Sequence, residues 1–232
     1  MNQSLAPTLL ITGTDTDTGK TVLTTALIAY WQAHYQQHRL GVMKLMQTGT
    51  GDRELYQQLF NLDQSLTEIN PLHYQAPLAP PIAARLEGRD IDLAKVWSTL
   101  QSLQQQRDFV LVEALGGLGS PVTFEITVAD LAKAWRLPII LVVPVKLGAI
   151  GQAVANVALA RSLDLDLKGI ILNSVQPCSP EDRENWTPVD LIESLTQVPV
   201  LGNIPHLSDA REIATLVKVA SDLELERLGI PF

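Results

Sequence analysis

The sequence predicts an α/β fold, a doubly wound and mostly parallel sheet with helices on both faces. Three observations carry that reading. Short aliphatic runs along the chain are continuous rather than alternating, the pattern of strands buried on both faces. Stretches between them place apolar residues three and four apart, so strands and helices alternate. The composition, 46% hydrophobic, 18% charged and 5% aromatic over 232 residues, is that of a globular chain with an aliphatic core. No internal repeat or low-complexity tract interrupts it, so one domain over residues 1–232 is expected.

The elements follow in order. "TLLITG" (8–13) is the first strand. The stretch before it lacks a basic start and its apolar run is short, so it reads as the lead into that strand and not as a signal peptide. Residues 20–38 form an amphipathic helix on Val22, Leu23, Ala26, Leu27, Tyr30 and Trp31. "LGVMKLM" (40–46) is a weaker strand. The proline-rich stretch 70–88 is a loop leading into a packed helix through Leu78, Ile82, Ala83 and Ala84. Helices are expected at 93–107, 128–136, 150–165, 188–197 and 209–228. Strands are expected at 109–114, 138–145, 169–175 and, more weakly, 199–205.

Charge and cysteine content exclude several function classes. The formal net charge is −8 and no basic stripe appears, so no nucleic-acid partner is expected. No apolar run approaches the roughly 20 residues of a membrane span. A soluble, cytoplasmic protein with no membrane partner is the expectation. Cys178 is the only cysteine, so neither an internal disulfide nor a thiolate metal cluster can form.

The residues that can do chemistry fall where strands run into helices, the end at which open α/β sheets bind ligands. "GTDTDTGKT" (13–21) has the strand-to-helix setting of a phosphate-binding loop, but five residues separate Gly13 from Gly19 instead of four. The amides from Thr18 to Thr21 would hold phosphates at the helix start, with Lys20 reaching the terminal phosphates and the Thr21 hydroxyl a metal ion. Lys44 ends the second strand, with Thr48 and Gly49 close behind. Glu113 ends the most aliphatic strand, where a bare carboxylate is costly to bury; a Mg²⁺ ion shared with Asp52 would give it a partner. Gly116, Gly117 and Gly119 follow and would admit close approach of a ligand. Gly148 opens another helix start suited to an anion. Asn173 ends a strand and could read a purine edge; "GNIPHL" (202–207), with Pro205, lies further on. The four histidines show no metal-ligand spacing.

Together these stretches resemble the dethiobiotin synthetase family along essentially the whole chain. The matching segments are "TGTDTDTGKT", "KLMQTG", "NPLHYQAPLAPPIAA", "LVEALGG", "VADLA", "VKLGAI", "GIILNSV" and "VLGNIPHL". The lengthened loop is that family's ordinary form of a fold of the P-loop NTPase type. The resemblance implies a homodimeric enzyme that uses ATP as co-substrate and Mg²⁺ as cofactor. It joins CO₂ to 7,8-diaminononanoate through a carbamate and a carbamic–phosphoric anhydride. It also implies roles. Lys20, Lys44 and Thr16 act at the reacting groups, and Thr21, Asp52 and Glu113 hold Mg²⁺. Thr18, Gly19, Lys20, Thr21, Val22, Glu113, Gly116, Asn173 and Pro205 bind the nucleotide. Asp17 and Thr48 meet the diamine, and Leu147, Gly148 and Gly151 its remote carboxylate across the dimer interface.

Departures from the family pattern are Ala114 and Leu115 in the second and third positions of V-E-G-A-G-G, and Gly151 and Gln152 in place of Asn-His. Leu115 is expected to narrow the site. Two other readings compete. The ATP domain of corrin-type amide synthases would need a glutaminase domain that does not fit. A partition or septum-positioning ATPase switch would carry a lysine early in the loop, and positions 14–18 have none.

Overall fold

The aliphatic runs become parallel strands of one sheet. The structure, a computed structural model, describes residues 5–229; residues 1–4, with which the N-terminal reading began, and 230–232 lie outside the described residues. In chain order the elements are β1 (Thr8–Gly13), α1 (Lys20–His34), β2 (Leu40–Lys44), β3 (Gln47–Thr48), α2 (Asp52–Leu59), α3 (Leu66–Ile69) and β4 (His73–Tyr74). Then come α4 (Pro80–Leu86), α5 (Leu93–Gln106), β5 (Phe109–Glu113), α6 (Val128–Trp135), β6 (Ile139–Pro144) and α7 (Ala149–Ser162). The last are β7 (Leu167–Asn173), α8 (Pro180–Trp186), α9 (Val189–Thr196), β8 (Val200–Ile204), α10 (Ile213–Ser221) and a 3₁₀ turn, Leu225–Leu228.

The main sheet has the order β2-β5-β1-β6-β7-β8, and every pairing in it is parallel. Alternation along each strand sends side chains to opposite faces. Leu9 and Ile11 pack with Leu27 and Trp31 of α1 and Leu216 of α10. Leu10, Val110 and Val112 pack on the other face with Leu100 of α5 and Leu131 of α6. Leu141 and Ile170 extend that second layer to α7 and α9 through Val157 and Ile192. The sheet is therefore doubly wound, as expected from the continuous aliphatic runs.

Chain direction across the sheet changes at β1, which lies between β5 and β6. That is the switch point at which such sheets open a cleft beyond the strand ends. Gly13, Lys44, Glu113 and Asn173 each stand at the carboxyl end of their strand.

Three local differences from the sequence reading have physical causes. The helix expected over 209–228 is broken: after α10 the chain turns back, and the Glu224 amide donates to the Leu201 carbonyl at 2.9 Å. The break lets Leu225 and Leu228 enter the core, which a continuous helix would not. Helix α2 was not anticipated because it is short and mostly polar and fully buries Tyr56 alone. The two-residue strands β3 and β4 are too short to leave a periodic signal.

Helix starts divide into two kinds. Ser65, Thr127 and Ser179 cap α3, α6 and α8 with side-chain oxygens. Helices α1 and α7 have no side-chain cap; Gly19 and Gly148 precede them at φ 95 and 88. Their first amides are left without a side-chain acceptor.

Candidate active site

The lengthened loop absorbs its extra residue at Asp17, which adopts φ 56, a left-handed conformation that aspartate tolerates at modest cost. Thr16 and Asp17 thereby face a cleft of about 320 Å³ that is also lined by Gly19, Lys20, Thr21, Lys44, Asp52, Glu113 and Gly116. Nine residues singled out in the sequence thus meet in one place. Val175, not anticipated, completes the lining.

The floor of the cleft is an ionic cluster built by strand register. Lys44 on β2 lies directly beside Glu113 on β5. The Lys44 Nζ donates to Glu113 Oε1 at 2.6 Å and meets Asp52 Oδ2 at 2.5 Å. The Thr21 hydroxyl is 3.0 Å from Asp52 Oδ1 and 3.0 Å from Glu113 Oε1. The Tyr56 hydroxyl donates to Glu113 Oε2. Glu113 is completely buried, so these donors replace the water a carboxylate would otherwise need.

Protonation states follow from these contacts. Burial opposes the Lys44 charge, but the carboxylates of Glu113 and Asp52 outweigh it and hold its pKa above the ordinary lysine value. Burial works against the Asp52 charge too, and Lys44 outweighs it, holding the carboxyl below its usual range. Burial first, then the charges of Glu113 and Asp52, push the Tyr56 phenol well above 10, so it stays a donor. Lys20 is different. Burial lowers it to about 8, opposed by Glu113 and reinforced by Lys44, and its Nζ rests on the Asp15 carbonyl at 2.9 Å.

The glycines after Glu113 do not act alike. Gly116 at φ 50 lines the cleft, as expected. Gly117 instead receives the phosphate loop itself: a Cβ there would lie 2.7 Å from the Thr14 carbonyl oxygen. Gly119 is exposed and faces away from the cleft lining. Leu115 packs against the α5–α6 core, so it does not narrow the site. The Leu118 amide donates to the Gly13 carbonyl at 2.8 Å, fastening the two loops together.

The other residues singled out lie outside this cleft. Asn173 is buried under the loop, its amide donating to the Thr18 carbonyl at 2.9 Å; a Cβ on Gly19 would lie 1.8 Å from that nitrogen. Thr18 is buried, and Val22 sits partly buried on α1. Pro205 lines a neighbouring hollow of about 270 Å³ with Ser174, Cys178, Arg183 and His206. Thr48 is half-buried in β3 behind a clasp in which Gln47 donates to Glu54 Oε2 at 2.9 Å. Leu147 is 83% exposed, and nothing lies within 4 Å of a Cβ built on Gly148 or Gly151. Tyr56 is the functional candidate that sequence reasoning missed; its one signal is the four-residue step from Asp52, which places both on one helix face.

Residues 7–214 match the family model described as an AAA domain. An ATP-dependent dethiobiotin synthetase of Gloeothece citriformis is 59% identical over 95% of this chain and 97% of its own length. The chain belongs to the ATP-dependent dethiobiotin synthetase family. Dethiobiotin synthetases of Synechocystis and Bacillus subtilis match at 52% and 32% identity, over 96% and 94% of this chain and 94% and 95% of their own lengths. Among solved structures, the MinD cell division protein of Aquifex aeolicus superposes with a TM-score of 0.60 at 16% identity, covering 98% of this chain and 99% of its own. A ParA family ATPase from Chlorobium tepidum gives 0.58 at 14%, covering 98% of each chain. Those likenesses show a shared fold alone.

For a dethiobiotin synthetase the Lys20 environment has a measurable consequence. A polyphosphate beside Lys20 would raise its pKa again, so nucleotide binding there would take up protons above pH 8, whereas near neutrality the lysine is already charged. Calorimetry of ADP binding in buffers of different ionisation enthalpy is expected to show uptake of up to about one proton near pH 9 and little near pH 7. Buffer-independent heats near pH 9 would contradict it.

Proposed function

We propose that this dethiobiotin synthetase closes the urea ring of dethiobiotin from CO₂ and 7,8-diaminononanoate in one cleft, the one floored by Lys44, Asp52 and Glu113. The observation that carries this reading is the Lys44 ammonium held between two carboxylates beside the Thr21 hydroxyl, under a loop of bare amides. Such a cluster concentrates cationic and anionic groups where a polyphosphate and a metal ion meet.

The donor set suits Mg²⁺. Thr21, Asp52 and Glu113 present only oxygen atoms, and the Lys44 ammonium already stands as a cation between the two carboxylates. Among the described residues no group of three or more His, Cys, Asp or Glu is poised to bind a metal. Two carboxylates, a hydroxyl and substrate phosphates are the usual company of Mg²⁺. When bound, the ion neutralises phosphate charge during transfer.

The chain's own residues then act as follows. One amine of the substrate captures CO₂ as a carbamate, which Thr16 and Lys44 orient, with Thr48 at the diamine. The amides from Thr18 to Thr21 hold the phosphates of ATP, with Val22 and Gly116 against the nucleotide. Lys20 leaves the Asp15 carbonyl for the phosphates, and Lys44 offsets charge at the γ-phosphate as the carbamate oxygen attacks it, the bond from the γ-phosphorus to the bridging oxygen breaks and ADP departs. The second amine closes the ring on the carbonyl carbon and expels phosphate. Asn173 and Pro205 bound the adenine end. Leu147, Gly148 and Gly151 are exposed and do not line the cleft, so on this reading they meet the substrate's carboxylate from a second copy of the chain. A soluble cytoplasmic homodimer is the working form on this reading.

The test is direct. ATP, Mg²⁺, bicarbonate and the diamine are supplied, and dethiobiotin is sought by mass. Failure to release phosphate in response to the diamine would refute the proposal; hydrolysis stimulated by DNA or lipid would instead support the partition-ATPase reading. Asp17, exposed at the cleft mouth, is assigned to a substrate ammonium. Asp17→Asn is expected to raise the diamine KM severalfold, the value of about 1 kcal/mol typical of an exposed charge pair. An unchanged KM would remove Asp17 from the site.

A further inference from the structure

We propose that Tyr56 is a positioning residue for this site: its hydroxyl fixes which oxygen of Glu113 faces the cleft and how far Asp52 stands from it. The inference rests on the assignment of Thr21, Asp52 and Glu113 to the metal and phosphates. Oε1 of Glu113 faces Lys44 and Thr21, while among the described residues Oε2 is met by the Tyr56 hydroxyl alone. The phenol is completely buried, and rotation of its ring leaves the hydroxyl in place.

The same side chain is the only buried residue of α2, and it lies one turn after Asp52. Helix α2 is therefore seated by the residue that grips Glu113. Thr24 of α1, three positions after Thr21, lies beside the same hydroxyl, its own hydroxyl donating to the Lys20 carbonyl at 2.9 Å. The phenol oxygen thus ties α2 to β5, the elements that deliver Asp52 and Glu113. A polar group that orients a ligand-bearing carboxylate is as much part of an ion site as the carboxylate.

Tyr56→Phe keeps the ring and its packing but strands Oε2 in the interior without a donor. The carboxylate is then free to turn its second oxygen toward Lys44, the adjoining cation, and away from the arrangement that suits a metal. The expected result is a rise of about tenfold in the Mg²⁺ concentration for half-maximal turnover, with turnover at saturating Mg²⁺ within about threefold of wild type. Calorimetry supplies a readout independent of activity. The affinity for ADP with Mg²⁺ should fall by a similar factor, and that for ADP without metal should change less than about twofold. Thr24→Val, which removes the neighbouring contact but leaves the phenol on Glu113, should leave the Mg²⁺ requirement in place.

An unchanged Mg²⁺ requirement in Y56F, or equal loss of ADP affinity with and without metal, would overturn the proposal. A Y56F chain that does not fold would do so too, because packing is assigned to the ring and not to the hydroxyl. Wild-type turnover that does not depend on Mg²⁺ would instead overturn the metal assignment on which the proposal stands.

Discussion

Replacing Lys44 by alanine is expected to lower turnover by about 10²-fold or more, the usual loss when a preorganised charge is removed from a reacting group. It should also destabilise the protein. Glu113 is fully buried and Asp52 partly so, and the Lys44 ammonium is the cation paired with both. Removing one partner from a buried ion pair typically costs about 3–5 kcal/mol. The loss has a defined pH window. Lys44 depresses the Asp52 pKa, so the stability it provides through Asp52 is full above the unfolded carboxyl range and disappears as pH falls through the folded value. The raised Lys44 pKa keeps its own contribution intact up to the ordinary lysine range, and that contribution is lost only as pH rises through the folded value. Melting curves of wild type and Lys44→Ala should therefore differ most around neutrality and converge in acid. Near-normal turnover would refute the role of Lys44.

Lys20→Ala is expected to produce a similar loss of turnover, again about 10²-fold, with the opposite effect on stability. Among the described residues no carboxylate lies within salt-bridge reach of Lys20; its ammonium rests on a loop carbonyl, and burial lowers its pKa to about 8. A lysine that is harder to charge in the folded chain than in the unfolded one is a net cost below that pKa. The variant should therefore melt at or above the wild-type temperature in the absence of nucleotide. Measuring Tm and turnover together separates the roles proposed for the two lysines, Lys44 holding the site together before substrates arrive and Lys20 acting once phosphates are present. A Lys20→Ala protein that is as unstable as Lys44→Ala would contradict this division.

Much of this was legible in the sequence. Strands buried on both faces must be continuously aliphatic, so the runs at 8–13, 109–114 and 138–145 could be read directly. A carboxylate at the end of such a strand demands a partner, which made Glu113 conspicuous. Lys44 was a weaker inference, since its force comes from register with Glu113, and register between strands far apart in sequence leaves no local mark. Tyr56 was invisible for the same reason: its partner is 57 residues away, and it sits in a helix too polar to announce a core. Gly117 was misread because the sequence asks for close approach without saying of what; the close neighbour is the backbone of Thr14. The turn from Leu147 to Gly151, assigned to the substrate by resemblance alone, does not line the cleft.

The most direct test of the account follows one oxygen atom. If the carbamate oxygen attacks the γ-phosphorus and ring closure expels phosphate, an oxygen from CO₂ must end in the phosphate released. Bicarbonate labelled with ¹⁸O, supplied with ATP, Mg²⁺ and the diamine and read before exchange with water, is predicted to give phosphate carrying one ¹⁸O for each dethiobiotin formed. Unlabelled phosphate accompanying labelled bicarbonate would mean that ATP is hydrolysed by water in this cleft, and the phosphoryl-transfer roles assigned to Lys20 and Lys44 would fall with it.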